Sequence, residues 1–206
     1  MSFDLGFTHQ YQPPKNNSTR TLLVLHGTGG DETSLVPVAT TIDSEAGLLS
    51  VRGKVLENGA PRFFRRLAEG VFDLEDLNVR THELADFVES ARIEYGFDGN
   101  QVVAVGYSNG ANIASSMLFL RPEALATAIL LRGMVPFEPE HLHDLSGKKV
   151  FISAGKFDPL VPGDQVEHLA HLYRQQHANV TLRWNELDHR IAKGEIEAAG
   201  DWLAQA

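Results

Sequence analysis

Continuous apolar runs alternate with amphipathic segments along almost the whole chain. Six runs predict strands, at residues 21–27, 47–53, 101–107, 127–133, 148–155 and 180–187. Most of these runs are uninterrupted, which is typical of parallel strands covered on both faces. Between them, apolar residues recur at helical spacing, as at 84–95, at 166–173 and in a final helix near 191–204. This repetition predicts an α/β fold with a mainly parallel, doubly wound sheet and helices on both faces.

Three further features of the sequence add to this predicted architecture. The segment FTHQYQP, residues 7–13, is a weaker candidate for an antiparallel edge strand. A length of 206 residues favours one domain over 1–206 with a full hydrophobic core. The interval between the fourth and fifth predicted strands, GMVPFEPEHLHDLSG, has no room for a cap domain over the site.

Charge and composition exclude several classes of function. The formal net charge of −9 argues against nucleic acid or an anionic membrane as a partner. The absence of cysteine rules out disulfides, a cysteine nucleophile and a cysteine-ligated zinc site, and it fits a cytoplasmic location. The first residues, MSFDLGFTHQYQPP, do not resemble a signal peptide, and no apolar stretch approaches the ~20 residues of a membrane span.

Chemically capable side chains follow three of the predicted strands. Ser108 lies in GYSNG after the third strand, Asp158 follows the fifth, and His189 follows the sixth. The carboxyl ends of the strands are where active groups gather in such sheets. The order Ser, Asp, His is the one expected when a G-x-S-x-G turn carries a nucleophilic serine.

The three residue types fit one mechanism of nucleophilic catalysis. A serine hydroxyl is a poor nucleophile until a base accepts its proton, and His189 is the natural base. Asp158 would hold the tautomer of the imidazole and stabilise its cation. Gly106 and Gly110 would leave room for the sharp turn at Ser108. A helix starting near Asn109 would point its amides at the developing oxyanion.

Longer motifs resemble the carboxylesterase and phospholipase branch of the α/β-hydrolases, which includes enzymes similar to acyl-protein thioesterases. LHGTGGD resembles the family's oxyanion loop, GYSNGANIA its nucleophile turn and FDPLVP its acid motif. SVRGKVLENGAPRFFRRLAEGVFDLEDL is similar to a bacterial esterase subgroup. The resemblance covers about residues 20 to 203.

The resemblance implies catalysis by Ser108, Asp158 and His189. It further implies an oxyanion hole made by the backbone amides of Thr28 and Asn109. The resemblance implies no metal and no organic cofactor. Relatives of this kind are often dimers, so it also implies a homodimer.

Other side chains near these motifs have simpler explanations. His26 is expected to shape the oxyanion loop, and Asp31 to cap a helix beginning near Thr33. The family often has glycine where this chain has Asp188. That carboxylate is an alternative to Asp158 for the role of acid, but a poor one, because adjacent side chains of an extended segment point to opposite sides. The pairs His141 with His143 and His168 with His171 are expected on solvated faces, without the further ligands that a metal needs.

The segment 53–76 is the main loop available to form a wall of the site. Substrate-binding candidates there and nearby are Arg52, Phe63, Phe64, Phe72 and Leu160, with the aromatic residues lining an acyl pocket. Arg52, Arg62, Arg65 and Arg66 could meet an acidic substrate group. The alternative is a short amphipathic helix with buried phenylalanines and solvated arginines.

The sequence therefore predicts a serine carboxylesterase that hydrolyses small-molecule esters with short to medium acyl chains. One alternative is a thioesterase or lysophospholipase acting on longer acyl chains. An alternative of another class is a non-catalytic protein with the hydrolase fold that binds a small ligand.

Overall fold

The computed structural model describes residues 5–205. In chain order its strands are β1 (His9–Gln12), β2 (Thr21–Leu25), β3 (Gly47–Val51), β4 (Val55–Glu57), β5 (Ala60–Arg62), β6 (Arg66–Ala68), β7 (Val71–Phe72), β8 (Val102–Tyr107), β9 (Thr127–Leu131), β10 (Lys149–Gly155) and β11 (Asn179–Asn185). Its α-helices are α1 (Val36–Ile42), α2 (Leu74–Tyr95), α3 (Asn109–Leu120), α4 (Gly163–Gln175) and α5 (Lys193–Ala204).

A seven-stranded sheet forms the centre, in the order β1-β3-β2-β8-β9-β10-β11. β1 is antiparallel to β3, and the remaining neighbours are parallel. The predicted strands and the predicted antiparallel edge strand are confirmed. All five residues of β2, β3 and β9 are buried, which explains their mostly apolar sequence.

Helices cover both faces of the sheet and divide the core in two. Leu84 of α2, Ala114 of α3 and Leu169 of α4 belong to the larger cluster. Ala39 of α1 and Ala199 of α5 belong to the smaller one on the opposite face. Successive residues of β2 alternate between the two clusters, as the period of two along a strand requires. The doubly wound α/β-hydrolase architecture is confirmed.

The strand order reverses between β2 and β8, and this places the site. The chain leaves β2 towards β3 on one side and later returns to β8 on the other. In open α/β sheets, ligands bind beyond the carboxyl ends of the strands at such a reversal. Leu25, the last residue of β2, is the register partner of Gly106 in β8. The loops that follow β2 and β8 therefore meet at one edge of the sheet.

The segment 53–76 forms two hairpins rather than an amphipathic helix. β4 pairs with β5 across Asn58 and Gly59, both at positive φ, and β6 pairs with β7 across a turn containing Gly70. A two-residue turn of this kind matches the twist of antiparallel strands, so it favours a hairpin over a helix. α2 begins only after the second hairpin, with the Asp73 side chain accepting a hydrogen bond from the amide of Asp76.

The prediction that Asp31 caps a helix near Thr33 is wrong. α1 begins at Val36, and Leu35 at its N-cap makes no side-chain cap. The Asp31 carboxylate instead accepts hydrogen bonds from the amide and hydroxyl of Thr33 and from the hydroxyl of Ser34. Those bonds stabilise a tight turn ahead of the helix. An aspartate side chain can form such local hydrogen bonds instead of capping a helix.

Two larger features are absent from the described residues. Between β9 and β10, residues 133–147 contain no helix or strand, so residues 5–205 carry no cap domain there. Within the same range, every helix is too short or too polar to cross a membrane.

Candidate active site

Ser108 lies on a strained turn between β8 and α3. Its backbone has φ 52° and ψ −114°, a conformation that residues with a side chain rarely adopt. A Cβ on Gly106 would lie 2.5 Å from the carbonyl oxygen of Gly110, and one on Gly110 would lie 2.0 Å from that of Leu25. Both positions therefore require glycine, and the turn holds the serine at the end of the central strand.

Ser108, His189 and Asp158 form a continuous chain of hydrogen bonds. Ser108 Oγ lies 2.9 Å from His189 Nε2, and His189 Nδ1 lies 2.8 Å from Asp158 Oδ2. A carboxylate only accepts, so Nδ1–H donates to it and Nε2 is left to accept from the hydroxyl. The other Asp158 oxygen accepts from the amides of Leu160 and Val161, at 2.9 and 3.1 Å. The carboxylate, with 1% of its side chain exposed, is thereby fixed in place.

The Asp188 carboxylate binds Arg190 and is not part of these hydrogen bonds. Its carboxylate accepts hydrogen bonds from the amide and Nε of Arg190, all at 2.9–3.0 Å. These bonds lower the pKa of Asp188. The acid next to His189 therefore pairs with an exposed arginine, while Asp158 contacts the ring.

His26 supports the loop that follows β2. Its Nε2 accepts from the amide of Gly53 at 3.0 Å, so the proton lies on Nδ1, which donates to the carbonyl of Gly27 at 2.6 Å. The ring is buried against Phe63, with centroids 4.8 Å apart, and burial lowers its pKa. His26 thus ties the loop to the start of the segment 53–76, in line with the expected structural role.

The two expected oxyanion donors, Thr28 and Asn109, both line the cavity next to Ser108. Within residues 5–205, neither backbone amide donates to a protein acceptor. Asn109 is the first residue of α3, where amides point out of the helix towards the positive end of its dipole. Both N–H groups are available to a ligand.

The first hairpin braces both of these residues. Arg62 Nη1 donates to the Thr28 hydroxyl at 2.7 Å, and Gly29 N donates to the Pro61 carbonyl at 2.9 Å. On the other side, the Phe63 amide donates to Asn109 Oδ1 at 2.7 Å. The hairpin is therefore part of the frame that fixes the spacing between Thr28 and Asn109.

The cavity at Ser108 has a volume of about 330 Å³. Its apolar wall includes Phe72, Met134 and Leu160, while Arg62 and Arg66 lie on its polar side. Farther out, a groove lined by Val71, Pro136 and Phe137 shares Phe72, Met134 and Leu160 with the cavity. The cavity is therefore continuous with this apolar groove on the surface.

The expected substrate-binding residues divide into two groups. Phe72 and Leu160 line the cavity. Phe63 and Phe64 are buried in the larger core cluster instead, because the turn after β5 directs their rings inward. Arg52 also lies outside the cavity lining; its guanidinium pairs with both oxygens of Glu32, at 2.5 and 2.9 Å.

The remaining arginines of this segment have carboxylate partners. Arg66 Nε contacts both oxygens of Glu57, at 2.9 and 3.1 Å, and Arg62 Nη1 lies 3.3 Å from the same carboxylate. Arg65 Nε pairs with Asp73 at 3.0 Å and is not a cavity residue. Of the four arginines considered for an acidic substrate group, Arg62 and Arg66 are the ones at the cavity.

Sequence reasoning missed Tyr107 and Arg132. The Tyr107 hydroxyl donates to the His189 carbonyl at 3.0 Å, and Arg132 reaches the carbonyls on either side of it. Both residues line the cavity. A signal for Arg132 was present, because a charged residue directly follows the apolar strand β9, as Asp158 and His189 follow theirs.

The histidine pairs show one difference from expectation. His168 lies on the exposed side of α4, but its Nε2 is 2.6 Å from the carboxylate of Glu138, so a carboxylate does accompany this pair. Within residues 5–205, no group of three histidine or carboxylate side chains is placed to hold a metal ion.

Known proteins resemble this chain over almost its full length. The model of the dienelactone hydrolase family matches residues 54–195. The protein named "Putative hydrolase MhqD" of Bacillus subtilis (strain 168) is 48% identical over 198 residues, 96% of this chain and 98% of that protein.

Solved structures give the same result. The Bacillus cereus carboxylesterase is 51% identical, with a TM-score of 0.95 over 97% of this chain and 94% of that one. A carboxylesterase from Mesorhizobium loti is 32% identical, with a TM-score of 0.92 over 98% of this chain and 97% of that one. The chain therefore belongs to the dienelactone hydrolase family and is a hydrolase of the carboxylesterase type.

Proposed function

We propose that the protein is a serine carboxylesterase that works through an acyl-enzyme, with Ser108 as nucleophile, His189 as base and Asp158 as its orienting acid. The hydrogen-bond chain from Ser108 through His189 to Asp158, at 2.9 and 2.8 Å, carries this proposal. The family and the carboxylesterase relatives support the reaction class.

The reaction follows from the proton positions along that chain. Ser108 Oγ attacks the ester carbonyl carbon while its proton passes to His189 Nε2. The oxyanion accepts hydrogen bonds from the amides of Thr28 and Asn109. The bond to the alcohol oxygen then breaks, and His189 returns the proton to the leaving group. In the second half, His189 takes a proton from water as the water oxygen adds to the acyl carbon. The bond from that carbon to Ser108 Oγ then breaks, and His189 returns the proton to Ser108 Oγ, which frees the acid.

Labelling of the nucleophile tests this proposal directly. We expect p-nitrophenyl acetate to be hydrolysed and a fluorophosphonate to add its mass to the peptide containing Ser108. Ser108→Ala should abolish both signals, while Ser90→Ala, on the exposed face of α2, should leave both unchanged. A protein that neither turns over the ester nor gains mass is not a serine esterase.

The cavity supports short to medium acyl chains as the preferred substrates, because a volume of about 330 Å³ also has to hold the leaving group. Phe72 and Leu160 are the proposed acyl contacts. Arg62 and Arg66 have Glu57 as a countercharge, so we expect no strong preference for acidic esters.

The groove beyond the cavity favours a second candidate, a thioesterase or lysophospholipase acting on longer acyl chains. Its apolar lining continues from Phe72 and Leu160 to Val71 and Phe137. A series of p-nitrophenyl esters separates the two candidates: a kcat/KM that keeps rising to C12 and C16 supports the longer chains. Val71→Asp should then lower the C12 rate several-fold and spare acetate, whereas Val79→Asp, equally exposed on α2, should change neither.

We further propose one domain over 1–206, a cytoplasmic location and a homodimer. The lack of cysteine supports a reducing compartment, and the resemblance to often dimeric enzymes supports the dimer. Size-exclusion chromatography with light scattering tests the oligomeric state, and the mass of a single chain would contradict the homodimer.

A further inference from the structure

Arg132 is a buried arginine at the carboxyl end of β9. It is the largest side chain among those with less than 2% of their surface exposed, and its backbone has φ 58°. Its amide donates to the Ser153 carbonyl at 2.9 Å, while the preceding carbonyl, of Leu131, accepts from the amide of Ser108 at 2.8 Å. The backbone here is thus fixed between the nucleophile turn and β10.

One side of the guanidinium binds Glu195 of α5. Nη1 and Nη2 each lie 2.9 Å from one carboxylate oxygen, a bidentate pair with both side chains buried. Glu195 in turn accepts from Ser153 Oγ at 2.6 Å, Asn185 Nδ2 at 2.9 Å and the Ala192 amide at 2.6 Å. The carboxylate is therefore anchored to two strands and to the start of its own helix, and it fixes the plane of the guanidinium.

The other side of the guanidinium faces the loop that carries His189. Nε donates to the carbonyl of Asp188 at 3.0 Å, and Nη2 donates to the carbonyl of Arg190 at 2.5 Å. The carbonyl between them, that of His189, accepts from the Tyr107 hydroxyl at 3.0 Å. Three consecutive carbonyls around His189 are thus held by two side chains.

The loop needs this external support. Residues 186–192, between β11 and α5, contain no helix or strand, so their backbone has no ladder of its own to fix it. A misplacement of a catalytic group by 1 Å costs about 10²-fold in rate. Side chains that lock a catalytic residue in this way are a general requirement of precise sites.

We propose that Arg132 is a positioning residue for His189: it holds the carbonyls of Asp188 and Arg190 so that the imidazole stays in line between Ser108 and Asp158. The inference rests on the proposed esterase function. Arg132 acts through the loop and takes no part in proton transfer.

A purely structural role for the ion pair makes a different prediction. A buried ion pair contributes little net stability compared with an apolar pair of similar volume. If stability were its only role, replacing both charged groups would spare kcat in the folded enzyme. If Arg132 positions His189, kcat falls whenever the two donors to the loop are lost, whatever the stability.

The test uses Arg132→Lys and the double variant Arg132→Met with Glu195→Gln. Lysine keeps the charge but cannot supply the planar set of donors, and the double variant leaves no unpaired buried charge. We expect kcat for p-nitrophenyl acetate to fall at least tenfold in both, with KM within about twofold. Hydrogen exchange at the amides of 188–191 should become faster. Arg132→Ala should regain activity with added guanidinium but not with sodium chloride at equal ionic strength.

Leu203→Ala is the matched control for lost stability. Leu203 is buried on the same helix as Glu195 but touches the smaller core cluster, so the variant should lower Tm and leave kcat unchanged at 25 °C. Folded Arg132 variants with wild-type kcat and wild-type exchange at 188–191 would overturn the role of Arg132. A wild-type protein with neither turnover nor labelling would overturn the esterase proposal instead.

Discussion

At the scale of single residues, two aspartates near His189 differ in the partners that their carboxylates bind. The Asp158 carboxylate is buried and faces the His189 ring, with its second oxygen held by two backbone amides. Asp188 is adjacent to His189 in sequence, yet its carboxylate turns to Arg190. Proximity along the chain therefore does not decide which carboxylate contacts the His189 ring; the direction in which each side chain points does.

This difference predicts very unequal effects of the same substitution on kcat. Asp158→Asn should lower kcat by about 10⁴-fold with little change in KM, because an amide at this position favours the wrong tautomer of His189. Asp188→Asn should stay within about threefold of wild type, since only an exposed pair with Arg190 is lost. Steady-state kinetics with p-nitrophenyl acetate measures both. Equal losses in the two variants would assign the acid role to Asp188 as well.

At the scale of elements, the sequence identifies the sheet well and the segment 53–76 poorly. Long buried strands have uninterrupted apolar sequences, so β2, β8 and β9 could be found to within two residues. The short hairpins have no such run. The first hairpin had one signal, Asn58-Gly59, the dipeptide most typical of a two-residue hairpin turn. The aromatic and arginine content of the segment obscured that signal.

The site shows the same division. The meeting of Ser108, His189 and Asp158 at one edge of the sheet could be predicted, because each residue follows a long strand and their order along the chain is that of a known motif. Phe63 and Phe64 could not be assigned to core or cavity, since adjacent apolar side chains diverge according to the turn that carries them. The contacts of Arg132 could not be predicted, because the sequence does not show which loop its side chain reaches.

The burial of His26, in the loop that follows β2, predicts a dependence of stability on pH. Burial lowers the pKa of His26 in the folded protein below the ordinary value near 6.5, so the unfolded chain binds more protons at mildly acidic pH. The contribution of His26 to stability is therefore complete above about pH 6.5 and is lost as the pH falls through the lowered pKa.

Urea unfolding between pH 7.5 and about pH 5 measures this contribution. The free energy of unfolding of the wild type should decrease across that window, and the decrease should be shallower in His26→Gln. His171→Gln, on the exposed face of α4, should keep the wild-type slope. A slope unchanged in His26→Gln would show that this histidine does not remain neutral in the fold.

At the scale of the whole molecule, one buried ion pair connects the sheet to the last helix. Arg132 follows β9, Glu195 lies in the first turn of α5, and the carboxylate also binds side chains of β10 and β11. The edge of the sheet that carries Asp158 and His189 is thus cross-linked by one polar network. Partly breaking such a network is costly because the groups left behind stay buried.

Glu195→Ala should therefore destabilise the protein by about 3–5 kcal/mol, because it leaves Arg132 charged and buried without its carboxylate. Glu197→Ala, which removes an exposed partner of Lys193 two residues further along the same helix, should cost at most about 0.5 kcal/mol. Denaturant unfolding monitored by fluorescence compares them. Similar small losses in both variants would mean that water reaches the guanidinium.

The strained backbone of Ser108 has a consequence for any effort to evolve this chain. A residue with a side chain held at φ 52° and ψ −114° costs on the order of 1–3 kcal/mol, which glycine at the same position would largely relieve. Selection for heat resistance alone would thus favour replacing Ser108, the proposed nucleophile, with glycine. Thermal screening of variants therefore has to include a measurement of turnover in every round, because the residue that is most stable at position 108 differs from the residue proposed to act in catalysis.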